Sequence, residues 1–573
     1  MSPTYSVLKT FYDFIIIGAG TAGSVVGTRL SENPNFKVLV LEAGTDVPRT
    51  PAFSVPVYAT QPAFGTEALW QYQSEPQIGL NNRTVPVPRG KVVGGSSLFN
   101  FMFYTRGSFE EYDRIANITG DQRWSWNNIL PFSKKSETRK LPTSGHDFPG
   151  DYDPSIYGNK GPILISLAND GSPFHERVKQ AAHELPDFSW NSDTNSGKPL
   201  GVGKLFGTIG TGVRNGANNY FKAAGARRNL DLIRNAQVTR ILFSNDKIPV
   251  VTGVEFTRSP DGPRTVVKAS KEVILSAGSI NSPQILMLSG VGPKSELEAL
   301  GIKVVKDHPE VGKNLQDHTL LLNNWYINDN GTRDELYNNP AFAQQQQGLY
   351  DTNRTGRLSN TIAQSIGFFR LPPDDSIWSQ PGVVDNSPGP NSPHFEFIMD
   401  DGFTNTLYPR PSKGNFMSIA TVNLSPSSRG SVKLRSSNPF DTPLIDLGLL
   451  TEEPDLHISV AALKHAREFA TAPIFNGYVL GEWGPLTPAQ TDEEIIQYIR
   501  NNTVSIFHPS CSLAISAKNS TKGVVNPDLT VKGIKKLRVV DASVFPIIPA
   551  AHLQIPVYAI AELASEMIAG DYK

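Results

Sequence analysis

Two kinds of residue in this 573-residue chain could do chemistry. The first is a set of glycines behind an apolar run, Asp13-Phe14-Ile15-Ile16-Ile17-Gly18-Ala19-Gly20-Thr21-Ala22-Gly23, which reads as a buried strand, a turn and the start of a helix. Gly18 permits the tight turn, Gly20 lets the backbone N–H groups at Thr21 and Ala22 approach a pyrophosphate, and Gly23 allows close packing of helix on strand. A second apolar run, Lys37 to Glu42, ends in an acid 19 residues after Gly23, where a carboxylate can accept from a ribose 2′-hydroxyl. This order of elements predicts an adenine dinucleotide and does not separate FAD from NAD. The second kind is the ten histidines. With an unperturbed pKa of about 6.5, imidazole is an accepting base near neutrality, although histidines taken one by one are usually surface or core residues. The single cysteine, Cys511, excludes an internal disulfide and a cysteine-built metal site; its plain reading is a small buried side chain.

The elements that must position these groups follow from the rest of the chain. Thr21 to about Glu32 is predicted as a helix with Val25, Val26 and Leu30 on its packed side. Arg89 to Asn100 holds Gly90, Gly94, Gly95, Ser96 and Ser97, a second loop able to present backbone donors to a pyrophosphate or a flat ring. Residues 45–80, with Pro48, Pro51, Pro56 and Pro62, read as a surface connection, and 138–162 as a surface loop. Leu230–Ile233, Gln237–Phe243 and Val251–Phe256 read as meandering strands, and Lys271–Gly278 as a buried strand. Ser282–Ser289 reads as a helix with Pro283 in its first turn and Gly290 at its stop. Residues 330–415 suit a lid or the side of a substrate pocket. Strands near Phe395, Met417 and Ser431 predict a second, antiparallel sheet. Lys536–Asp541 is a strand ending in an acid, and Pro556–Ala569 a helix begun by proline and stopped by Gly570. No internal repeat is visible. The predicted fold class is therefore α/β with two domains. A Rossmann-like dinucleotide-binding domain (10–110, 215–320, 530–573) interleaves with a substrate domain (155–214, 321–510) built on an antiparallel sheet with helices.

Charge and hydropathy remove whole classes of partner. Lys+Arg 53 against Asp+Glu 54 leaves a net charge of −1, which predicts neither nucleic acid nor an anionic membrane as partner and favours small neutral substrates. No apolar run reaches the roughly 18 residues of a membrane helix. Met1–Thr10 has neither the basic nor the apolar part of a leader peptide. Seven N-x-[S/T] sequons, at Asn82, Asn117, Asn330, Asn353, Asn423, Asn501 and Asn519, tip the expected location toward a secreted glycoprotein.

With these pieces in order, essentially the whole chain resembles the glucose–methanol–choline oxidoreductases. The likeness rests on Gly18-x-Gly20-x-x-Gly23 with Glu42, on Gly90–Asn100, on Gly278–Gly292, and on Phe507-His508-Pro509 with Asp541-x-Ser543-x-x-Pro546-x-x-Pro549-x-x-His552. Ile118-Thr-Gly-Asp, Trp124-Ser-Trp126 and Asn526–Gly533 are similar to the branch holding fungal aryl-alcohol oxidases and sugar dehydrogenases. The resemblance implies FAD rather than NAD. It puts Gly18, Gly20, Thr21, Ala22, Gly23 and Glu42 on the ADP half, Val238 and Ala277 near adenine, Gly95, Ser96 and Asn100 near pyrophosphate and flavin, and Asp541 near the ribityl chain. Gln554 is expected beside the cofactor, and a helix beginning at Pro556 would aim its N-terminus at the reduced flavin. Relatives with covalent FAD carry histidine where this chain has Phe99, so a non-covalent flavin is expected.

The resemblance also assigns His508 as general base and His552 as the group bonding the substrate oxygen, while His308 and His318 read as structural. Phe101, Phe403, Tyr408 and Phe507 could form an aromatic funnel. Ala550, Leu553 and Ile555 replace the asparagine, threonine and glycine of aryl-alcohol oxidases, and Cys511 replaces a usual glycine, which makes the pocket more apolar and bulkier. The expected activity of a monomer is oxidation of primary alcohols, aromatic or allylic, to aldehydes, with dioxygen reduced to hydrogen peroxide. A sugar dehydrogenase using quinones, a hydroxynitrile lyase with structural FAD, and a flavoprotein without catalysis are the alternatives.

Overall fold

In the computed structural model, residues 9–60, 66–169 and 172–573 are described; Pro62 and most of Met1–Thr10 lie outside them. Strand Val38–Leu41 is buried at every position, and Phe11–Ile17 at all but two. Parallel strands covered on both faces have this character. Leu230–Ile233, Val38–Leu41, Phe11–Ile17 and Thr265–Leu275 lie side by side in parallel. Thr265–Leu275 then forks. Its first half pairs antiparallel with Val251–Thr257, which pairs in turn with Gln237–Phe243, while its second half pairs in parallel with Leu537–Val539. The C-terminal segment thereby rejoins the sheet beside the N-terminal one. Helix Gln554–Asp571 packs on helix Thr21–Leu30, where Arg29 reaches the fully buried Glu562 at 2.8 Å.

The second sheet is antiparallel throughout, in the order Val479–Glu482, Thr319–Ile327, Asn415–Asn423, Phe395–Asp400, Ser365–Phe369 and Gly201–Lys204. The short strand Val504–Ser505 pairs with the start of Thr319–Ile327. Helix Glu453–Phe469 covers one face. The fold is thus the two-sheet α/β arrangement expected, each sheet with its own apolar core.

Several local expectations change. Residues 45–80 are more than a surface connection, since Leu69–Gln73 pairs with Pro86–Gly90 and Val55, Val57 and Tyr72 are buried. Ser431–Lys433 stays out of the large antiparallel sheet and forms a ribbon with Leu444–Asp446. The helix expected from Ser282 begins at Gly278, which puts Pro283 in its interior. The carbonyl that Pro283 leaves without a donor, on Ser279, accepts from the Ser512 hydroxyl at 2.7 Å, so the proline costs no buried acceptor. The last helix starts at Gln554 rather than Pro556 and runs through Gly570 to Asp571. Asn423 is buried inside a sheet strand, which removes one of the seven sequons as a glycan site, whereas the other six asparagines are exposed.

One buried ion pair supports the segment between the sheets. Arg106 and Glu137 are both fully buried and meet at 2.6 Å, with the Tyr104 hydroxyl bonded to both. Asn195 accepts from the Arg106 backbone N–H, and the neighbouring Thr105 hydroxyl accepts from the His552 backbone N–H at 2.7 Å. Breaking a buried pair strands the surviving charge, so Arg106→Leu should cost about 3–5 kcal/mol in denaturant unfolding. Arg106→Leu combined with Glu137→Leu should recover much of that loss; a double variant no more stable than the single one contradicts the assignment.

Candidate active site

The two glycine loops face each other across one slot. A Cβ on Gly23 would sit 1.9 Å from the Gly18 carbonyl oxygen, one on Gly18 2.6 Å from the Ser276 carbonyl, and one on Gly95 2.7 Å from the Gly20 Cα. Glycine is thus demanded at these positions by contact as well as by the positive φ of Gly18 and Gly95. Helix Thr21–Leu30 opens here with no side-chain cap and no acid in its first turn, leaving its first N–H groups free for an anion.

A cavity of about 900 Å³ runs from Gly20, Thr21 and Ala22 past Gly95, Ser96, Asn100 and Asp541 to His508, His552 and Gln554. A smaller one, of about 80 Å³, is lined by Gly18, Glu42, Val238 and Ala277. The two share Gly20, Gly95, Ser276 and Ala277 as walls and form one elongated path. Glu42 accepts from the Ala19 and Gly44 N–H groups, both at 2.8 Å, and burial pushes its pKa up to about 7 against those bonds. Gly23 and Pro556 line neither cavity: Gly23 acts through packing, and Pro556 lies inside the first turn of its helix.

Asp541 ties the parts together. One carboxylate oxygen accepts from the Gly278 N–H at 2.9 Å and the Ser282 hydroxyl at 2.6 Å, and the other from the Ser543 N–H at 2.9 Å. Asn100 donates to Gln554, and Arg214 donates to the Asn100 carbonyl and side-chain oxygens at 2.6 and 2.9 Å. Arg214 has no carboxylate partner among the described residues, and burial alone lowers its pKa to about 9.

The two histidines assigned from the resemblance meet. Their ring centroids lie 5.0 Å apart at 88°, and both line the large cavity. The Glu396 carboxylate, 1 % exposed, is 3.0 Å from His552 Nε2. The Asp317 carboxylate accepts from the His508 backbone N–H at 2.8 Å and the Ser505 hydroxyl at 2.5 Å. His318, read from sequence as structural, is in direct contact with the site, its Nδ1 3.1 Å from His508 Nδ1. The remaining ring nitrogens, His508 Nε2 and His552 Nδ1, have no protein partner among the described residues. Burial, with the neighbouring His552, His318 and Arg89 adding to it, holds the His508 pKa well below the ordinary imidazole value. His508 is therefore a neutral acceptor.

Glu396, Thr105 and Arg214 escaped the sequence reading, and His318 was read only as structural. Only Glu396 left a trace, as an acid inside an apolar strand. His308 lies away from the cavity. Phe101, Phe403, Tyr408 and Phe507 all line it, but no two of them are in ring contact. Phe403 and Tyr408 pack on Trp483, and Phe101 on Phe103. Phe403 is a core residue, whereas Tyr408 is exposed. Cys511 is buried with φ +72°, and burial pushes its thiol up to about 12. That left-handed backbone explains why glycine is usual there.

The slot fits an adenine dinucleotide such as FAD. The cradle is closed to a Cβ at Gly18, Gly23 and Gly95, the buried Ser276 hydroxyl on the shared wall has no hydrogen-bond partner among the described residues, and Glu42 stands at the small end. Gly23→Ala should leave the protein folded enough to purify but strip its yellow colour; a variant that keeps one flavin per chain contradicts the cradle's role.

Comparison with known proteins agrees with this geometry. Models of GMC oxidoreductases match residues 12–320 and 426–561. The chain is 37% identical to pyranose dehydrogenase 3 of Leucoagaricus meleagris over 574 residues, covering 98% of this chain and 93% of that one. A formate oxidase crystal structure superposes with TM-score 0.90 at 29% identity, covering 99% of each chain. A fungal aryl-alcohol oxidase does so with TM-score 0.84 at 28% identity, covering 99% of this chain and 100% of that one. The chain belongs to the GMC oxidoreductase family, flavoenzymes that act on CH–OH donors with FAD.

Proposed function

We propose that the substrates are small apolar primary alcohols, aromatic or allylic, oxidised to aldehydes, with dioxygen taking up two electrons and two protons as hydrogen peroxide. The observation that carries this reading is a pair of uncommitted imidazole nitrogens in a cavity with Phe101, Phe103, Leu320, Leu322, Ile362 and Ile398 on its walls. Several of its polar side chains are already engaged. Asp400 and Thr404 are bonded to Arg333, Arg410 to Asp334, and Ser418 to Asn324 and the Gly402 carbonyl. A sugar has several hydroxyls, and each left unpaired on burial weakens binding.

FAD bound in the slot supplies the hydride acceptor. His508 Nε2 accepts the hydroxyl proton, and His552 bonds the same oxygen while Glu396 fixes its ring. The open N-terminus of helix Gln554–Asp571, with no acid in its first turn, favours negative charge in the cavity. Phe99 packs edge-on against Phe53 at 4.9 Å and offers no nitrogen for a covalent link, which supports a dissociable flavin; acid precipitation should release the colour into solution.

A second reading, a pyranose donor with a quinone acceptor, is supported by the 37% identity to a pyranose dehydrogenase. Anaerobic mixing separates the two. Benzyl alcohol should bleach the yellow band faster than glucose, and air should restore it with peroxide formed. The reverse preference, with recovery only on adding benzoquinone, supports the second reading, and no bleaching by either supports a lyase or non-catalytic protein. Because His508 is neutral, the bleaching rate should stay flat between about pH 6 and 8 and fall only in acid. His508→Ala should slow it by about 10²- to 10⁴-fold with flavin retained.

A further inference from the structure

We propose that His318 is a positioning residue that sets the tautomer of His508, accepting its Nδ1–H so that the lone pair of Nε2 is left for the cavity. The inference rests on His508 being the proton acceptor. The two Nδ1 atoms are 3.1 Å apart with the rings at 77°, a distance that suits one shared proton and neither two lone pairs nor two N–H groups.

His318 is fully buried, and burial together with the field of His552 holds its pKa to about 3, so it is neutral and carries one proton. The question is which nitrogen holds it. A proton on His318 Nδ1 would point at His508 Nδ1, force the His508 proton onto Nε2, and remove the base from the cavity. A proton on His318 Nε2 leaves Nδ1 free to accept. Nε2 is buried with no hydrogen-bond partner among the described residues, and the Leu424 backbone raises the ring's proton affinity. The His318 Nδ1 faces the His508 ring, and a His508 that keeps its Nε2 lone pair for the cavity requires that Nδ1 to accept, which leaves the His318 proton on Nε2.

The other groups facing His508 do not compete for its Nδ1. Asp317 takes the backbone N–H of His508, Arg89 donates to the Phe507 carbonyl at 2.6 Å, and His552 approaches edge-on. His508 therefore has a neutral orienting acceptor, whereas His552 has the Glu396 carboxylate. A neutral acceptor fixes the ring without adding a negative charge that would hold the transferred proton.

The direct test is ¹⁵N-histidine NMR of the holoenzyme, with the His508 signals assigned from His508→Ala. Protonated Nδ1 and bare Nε2 on His508 are expected; a proton on Nε2 of the resting enzyme overturns the proposal without any variant. His318→Leu, which removes the acceptor, should slow anaerobic bleaching by about 100-fold, with the dissociation constant for benzyl alcohol within about twofold and flavin retained. His318→Asn, whose amide oxygen can accept, should recover to within about tenfold of wild type. Leu and Asn variants that are equally slow, or a Leu variant within about threefold of wild type, contradict the role. Unimpaired bleaching by His508→Ala would remove the assigned base while leaving the tautomer readout intact.

Discussion

The pairing of Leu537–Val539 with Val273–Leu275 is the contact on which the rest depends. It closes the first sheet with a strand from the far end of the chain and delivers Asp541 to the N–H of Gly278 and the hydroxyl of Ser282. Everything after Asp541 is then aimed by that anchor: His552, the open end of helix Gln554–Asp571, and Gln554 against Asn100. The dinucleotide cradle and half of the proton chemistry share one support.

The second histidine arrives by a different route. Val504–Ser505 pairs with the start of Thr319–Ile327, the Ile506 N–H donates to the His318 carbonyl, and Asp317 takes the His508 N–H. The stretch that carries His508 has left-handed backbone at Phe507 and Cys511. Non-glycine residues in that region cost roughly 1–2 kcal/mol each. The surrounding sheet pairings hold them there, an arrangement found where a site needs a side chain in one particular direction.

Charge is managed by burial as much as by pairing. Glu42 and Asp317 are both pushed up to about 7 although each accepts backbone N–H bonds, while His318 and His508 are kept neutral. Among the groups around the two catalytic rings, neutral imidazole at His508 and carboxylate-bound imidazole at His552 face one cavity. Two like side chains are thereby given different environments, and in the proposed reaction that difference lets one accept a proton while the other orients oxygen.

Local patterns in the sequence determined the cradle, because strand, glycine turn, helix and Glu42 are neighbours along the chain and their spacing obeys backbone geometry. The same is true of the two-sheet class, while His508 and His552 stood out among ten histidines only through the resemblance to the family's motifs, and the structure brings both rings to one cavity. Helix starts at Gly278 and Gln554 were misjudged because proline was read as a boundary, while a hydroxyl from Ser512, remote in sequence, satisfied the carbonyl freed by Pro283. Only the tertiary structure decided that Glu396 reaches His552, that His318 touches His508, and that Arg214 holds Asn100. These contacts join residues more than a hundred positions apart, and no periodicity or turn chemistry encodes which side chains two separately formed sheets will bring face to face.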